Sequence, residues 1–183
     1  MQHASGPSVV VITGIMASGK STVAQLLAER FPRSVHVRGD VFRRMVVSGR
    51  VEKNPGEDAE ADAQLRLRYR ASAAAVGVYA EAGWTVVVQD VILGDYLDAY
   101  LEFLSVRPVH VVVLAPRPEV VAVREAGRIK SGYSEGGWTV DGLDAVLRGE
   151  TPRRGLWLDT SELSPAETVD VILARLHEAR VVS

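Results

Sequence analysis

An α/β fold, one parallel sheet covered by helices on both faces, is what this sequence predicts, and three observations lead there. The runs "VVVIT" (9–13), "WTVVVQD" (84–90) and "VHVVVLAP" (109–116) are apolar at nearly every position, as strands buried on both faces must be. Stretches with helical spacing of apolar residues lie between them, so strand and helix alternate along the chain. The bulk composition agrees: 183 residues, 47% apolar and 24% charged, suffice for one domain with a full core, over 1–183.

Each element follows from its residues. After the first strand, Val23, Leu26, Leu27 and Phe31 recur at helical spacing. Ser34 to Arg38 reads as a short strand that ends in Gly39-Asp40, and Val41 to Ser48 resumes helical spacing. Gly49 to Pro55 is a loop. Glu57 to Ala82, rich in Ala, Leu, Arg and Glu, is one long helix stopped by Gly83. The strand at 84–90 leads into "VILGDYLDAYLEFL", a loop and helix, and the strand at 109–116 into a helix from Arg117 to Lys130. A glycine-rich break covers Gly132 to Gly137, followed by a short helix at Val140 to Leu147. Leu156 to Leu158 is the last strand and Pro165 to Arg180 the closing helix.

The charge balance narrows the function. A formal net charge of -2 argues against a general nucleic-acid or membrane surface. The absence of cysteine excludes disulfides and thiolate metal sites and fits a cytoplasmic enzyme. The apolar run near the amino terminus is consumed by the first strand and lacks a basic flank, so neither a signal peptide nor a membrane span is expected there.

Lysine occurs only at Lys20, Lys53 and Lys130, and Lys20 sits in the most informative stretch of the chain. Gly14-Ile15-Met16-Ala17-Ser18-Gly19-Lys20-Ser21 matches the phosphate-binding pattern G-x-x-x-x-G-K-S/T, with a strand before it and a helix after it. Glycine lets the backbone wrap an anion closely, and a helix start offers unpaired N–H groups and the positive end of its dipole. The expected nucleotide contacts are Gly14, Ala17, Ser18, Gly19, Lys20, Ser21 and Thr22, with the Ser21 hydroxyl on a Mg2+ ion that bridges the phosphates of ATP. In a parallel sheet, ligands sit at the carboxyl ends of the strands, so polar residues there are candidates.

Together "GIMASGKST", "GDVFRR", "VVVQDVILGDYL", the Arg124-x-x-x-Arg128 pair and "LWLDTSELSPAETVDVIL" resemble the small P-loop phosphotransferases with a nucleoside-monophosphate-kinase-like core, especially the chloramphenicol phosphotransferase-like group. The resemblance spans most of the chain and implies the P-loop NTPase fold, a five-stranded parallel sheet in the order 2-3-1-4-5, and a lid at about residues 117–139. It also implies a kinase acting on a hydroxyl of a small molecule, an antibiotic or a sugar-like metabolite.

In similar kinases an acid at the position of Asp40 accepts or orients the proton of the attacking hydroxyl; Asp40 could also cap a helix that starts at Val41. Asp90 has the pattern of the acid that holds Mg2+ through water, and it could contact substrate instead. Arg43 and Arg44, one turn past Asp40, are candidate substrate ligands or else simply face water. Arg124 and Arg128 would bring guanidinium groups to the transferring phosphoryl, whereas Lys130 reads better as part of a solvated face. Thr160 and Ser161 resemble the segment that borders the adenine. Two other readings share the motif: a zeta-toxin-like kinase of a nucleotide-sugar, and an NTP-hydrolysing switch. The absence of an N-K-x-D guanine motif weakens the second.

Overall fold

The computed structural model describes residues 7–127, 133 and 137–181. Five strands, β1 (Val9–Thr13), β2 (Ser34–Arg38), β3 (Thr85–Gln89), β4 (Val109–Leu114) and β5 (Leu156–Leu158), form a parallel sheet in the order β2-β3-β1-β4-β5. This is the order implied by the resemblance. The register puts Ile12 opposite Gln89 and Val112, so β1, β3 and β4 end side by side.

Period-two alternation divides the core between the two faces. Val9 and Val11 of β1 point with Val86, Val88, Val111 and Val113 toward one apolar cluster, and Val10 and Ile12 with Val87, Val112 and Leu114 toward another. The first face is covered by α3 (Ala59–Glu81), α4 (Tyr96–Phe103), α5 (Pro118–Ala126) and α6 (Val140–Gly149), which supply Tyr69, Val76, Leu97, Tyr100, Val121 and Leu147. The second is covered by α1 (Lys20–Ala28) and α7 (Pro165–Ala174) through Val23, Leu27, Val169 and Ile172. Burying side chains of this size stabilises by about 1.5–3 kcal/mol each, so these two clusters hold the helices on the sheet.

Three elements differ from the sequence expectation. The helix expected at Val41 to Ser48 is α2, Gly39–Arg44; it starts two residues earlier because Arg38 is its extended N-cap, and it stops once Val46 lines a cleft and Val47 lies 95% exposed, with no core to pack against. Asp40 is therefore in the first turn and is not a cap. The closing helix breaks at Arg175 into α7 and a single turn, α8 (Leu176–Ala179). A sixth strand, β6 (Arg180–Val181), then pairs antiparallel with Val109 and His110 of β4. β5 covers only Val112 to Leu114, which leaves the start of β4 with open ladder positions that β6 fills. The long helix is continuous: α3 opens with the Asp58 carboxylate accepting from the Ala61 N–H at 3.0 Å, and Gly83, at φ 83°, turns the chain after it.

Candidate active site

At the carboxyl ends of β1, β2 and β3 the chain leaves the sheet and frames a cleft of about 1700 Å3. One wall is the phosphate loop between β1 and α1. Ala17 (φ 61°) and Gly19 (φ 96°) adopt left-handed backbone there, so the loop curls, and the Ser18 N–H closes a turn on the Ile15 carbonyl at 3.3 Å. Gly14 is forced to be glycine, since a Cβ would come within 2.5 Å of the Leu114 carbonyl oxygen. Lys20 is 8% exposed, and its Nζ donates to the Ile15 carbonyl at 2.6 Å, which folds the ammonium back over the loop. Thr13 fixes the loop's entry: its Oγ1 donates to the Ile92 carbonyl at 2.8 Å and accepts from the Ile92 N–H at 2.9 Å.

Ala17, Gly19, Lys20, Ser21, Thr22, Asp40, Arg43, Arg44, Asp90 and Arg124 line this one cleft, although the first and last are more than a hundred residues apart in sequence. Asp40 is half-exposed, and its Oδ2 accepts from Arg44 Nη2 at 2.6 Å across one helical turn. Arg43 pairs instead with Glu52. Gly14, Ser18, Thr160 and Ser161 do not line the cleft. Arg124 connects two of them, its Nη2 donating to the Thr160 carbonyl at 3.0 Å and Nη1 to the Ser18 carbonyl at 3.4 Å. The Ser18 and Thr160 hydroxyls are buried without a hydrogen-bond partner. Ser161 accepts from the Arg117 N–H at 2.8 Å and donates to Asp159. Arg128 and Lys130 lie outside the described residues, as does much of the glycine-rich break.

Asp90 is the most tightly held acid of the site. Arg68, on α3, donates from Nε to Oδ2 at 2.8 Å and from Nη2 to Oδ1, and the Val91 N–H adds a bond to Oδ1 at 2.8 Å. Burial pushes the Asp90 carboxyl above its usual range, against the pull of Arg68, the Val91 N–H and Lys20. Sequence reasoning missed Arg68 because "RLRYR" reads as an ordinary charged helix face. It also missed two residues that bridge the cleft: the Tyr133 hydroxyl donates to the Met16 carbonyl at 2.9 Å, and Trp138 Nε1 to the Lys53 carbonyl at 3.1 Å. Lys53 in turn pairs with Asp62, which accepts from the Tyr96 hydroxyl.

A phosphate loop at the end of the first strand of a 2-3-1-4-5 sheet, with acids at the ends of the next two strands, defines a P-loop kinase. The chain belongs to the chloramphenicol phosphotransferase-like protein family, which it matches over residues 7–177. No curated protein matches it. Among solved structures it is similar to an unliganded sugar kinase from Janibacter sp. HTCC2649, with 21% identity over 95% of this chain and 96% of that one at a TM-score of 0.67. The tunicamycin resistance protein of Deinococcus radiodurans aligns at 20% identity over 97% and 99%, also at 0.67. The APS kinase CysC of Mycobacterium tuberculosis in complex with AMPPNP and APS aligns at 18% identity over 94% and 98%, at 0.64. These likenesses are of fold.

Proposed function

We propose that this kinase transfers the terminal phosphate of ATP, with Mg2+, to a hydroxyl of a small molecule, either an antibiotic or a sugar-like metabolite. The observation that carries the reading is that Lys20 and Asp40 share one cleft, a phosphate-binding cation and an acid on the acceptor side. Resemblance in fold to a sugar kinase and to a tunicamycin resistance protein supports both acceptor classes.

In this reading the loop N–H groups from Gly14 to Thr22 and the Lys20 ammonium hold the phosphates. Arg124, with Arg128 from the lid at about 117–139, offsets charge on the transferring group. Thr160 and Ser161 border the base. Ser21 and Asp90 offer a hydroxyl and a carboxylate, the hard oxygen donors that suit Mg2+, and both line the cleft. Bound there, the ion would neutralise phosphate charge. Arg44 occupies Oδ2 of Asp40, so Oδ1 is the oxygen that can orient the acceptor hydroxyl. As the hydroxyl oxygen bonds to the terminal phosphorus and the bond to the bridging oxygen breaks, the proton passes to Asp40 and ADP leaves. Arg43 and Arg44 flank the acceptor. Nucleic acid is not an expected partner, and the reaction suits the cytoplasm, where ATP is made; none of the described helices is long and apolar enough to cross a membrane.

The test is incubation of the full chain with γ-labelled ATP, Mg2+ and a panel of antibiotics, sugars and nucleotide-sugars. Label on an acceptor hydroxyl supports the reading. Label found only on a nucleotide-sugar, or only as inorganic phosphate, rejects it in favour of the toxin-like kinase or the switch.

A further inference from the structure

Asp90 is held from three directions. The Arg68 guanidinium grips both oxygens from α3, the Val91 N–H donates from the chain itself, and Gly39 at the β2–α2 junction lies so close that any Cβ there would overlap the carboxylate. The Asp90 side chain is 3% exposed and that of Arg68 16%. A carboxylate offers about four lone-pair positions, of which these donors take three. One is left, on an acid that lines the cleft.

We propose that Arg68 is a positioning residue for phosphoryl transfer: its two-pronged grip fixes the Asp90 carboxylate so that the acid accepts one hydrogen bond from a metal-bound water and cannot chelate the metal with both oxygens. The inference rests on the reading of Asp90 as a magnesium residue. Outer donors that orient a metal-site carboxylate change metal affinity by about 10–100-fold. Lysine cannot substitute fully, because a single ammonium does not span both oxygens as the planar fork does. Stability alone is a poor reason for the pair: α3 is already anchored by buried Tyr69, Ala73 and Val76 and capped by Asp58, and a buried ion pair is often no better than apolar packing.

The probe is AMPPNP, titrated calorimetrically into the full chain at a series of Mg2+ concentrations, with melting temperatures recorded alongside. Asp90→Asn and Arg68→Gln should each raise the Mg2+ needed for half-maximal AMPPNP binding by about tenfold or more, over and above any change in metal-free AMPPNP affinity measured in the same titration series. Arg68→Lys should fall between Gln and wild type. The double variant should be no worse than Asp90→Asn alone, because Arg68 acts through Asp90. A wild-type Mg2+ requirement in Arg68→Gln while Asp90→Asn shifts it would overturn the role of Arg68, as would additive effects in the double variant. If Arg68→Gln does not fold, Arg68→Lys decides: a wild-type Mg2+ curve there overturns the proposal. A wild-type curve in Asp90→Asn, with Ser21→Ala shifted, instead removes Asp90 from the metal site, a separate failure.

Discussion

Gly39 matters for the side chain it lacks. Because a Cβ at this position would overlap the Asp90 carboxylate, Gly39→Ala has to displace a side chain already bound to Arg68 and Val91. Overpacking of this kind costs about 1–3 kcal/mol, so urea midpoints should fall accordingly, whereas Gly149→Ala, in α6 with open space around it, should lose nothing. Lys20 belongs to the same scale. Lys20→Ala removes the loop's own cation and should abolish transfer while sharply weakening ATP binding; near-normal turnover would refute the phosphate-loop assignment. The contrast between Lys20 and Arg68 explains which residues the sequence could reveal. Lys20 stands in an eight-residue pattern whose spacing is itself the chemistry. Arg66, Arg68 and Arg70 are one charged strip in sequence, and only packing separates them: Arg66 lies over the Tyr96 ring, Arg68 grips Asp90 and Arg70 is exposed.

The three central strands β1, β3 and β4 were readable because each is buried on both faces and so is apolar at most positions. Element ends were less so. The break between α7 and α8 depends on the open start of β4, a long-range demand that no local pattern around Arg175 encodes. The edge strand β2 carries a further test. His36 donates from Nδ1 to Gln25 Oε1 at 3.0 Å, while its Nε2 is buried without a partner. Burial first, then the Arg38 charge, lowers its pKa from 6.5 to about 4. The folded state therefore binds this proton more weakly than the unfolded chain does. The contribution is fully present above pH 6.5 and is lost as the pH falls toward 4. Melting temperatures measured from pH 7 to pH 4 should drop more steeply in the wild type than in His36→Gln; parallel curves would contradict this.

At the largest scale the sheet does the gathering. Its parallel register brings the ends of β1, β2 and β3 together, so that residues from 17 to 124 meet in one cleft, and Arg124 ties the Ser18 carbonyl to Thr160 beyond β5. Since Arg124 joins the loop, at the Ser18 carbonyl, to Thr160, Arg124→Ala should weaken ATP binding as well as turnover, a double effect that steady-state KM and kcat would separate. ATP should also be preferred strongly to GTP, because the chain has no N-K-x-D motif to read guanine. Equal titration curves would contradict that.

The most direct measurement is single-turnover transfer of labelled phosphate to the acceptor found in the panel, comparing wild type with Asp40→Asn. Asp40 is not a helix cap, and its exposed pair with Arg44 is worth only about 0.3–0.5 kcal/mol, so the Asn variant should melt like the wild type and bind Mg-ATP as well. In the proposed reaction, what it loses is the proton acceptor. Transfer to the hydroxyl should then fall by about 100-fold or more, with slow ATP hydrolysis falling less. An Asn variant that transfers phosphate at the wild-type rate would contradict the claim that Asp40 makes this protein a hydroxyl kinase.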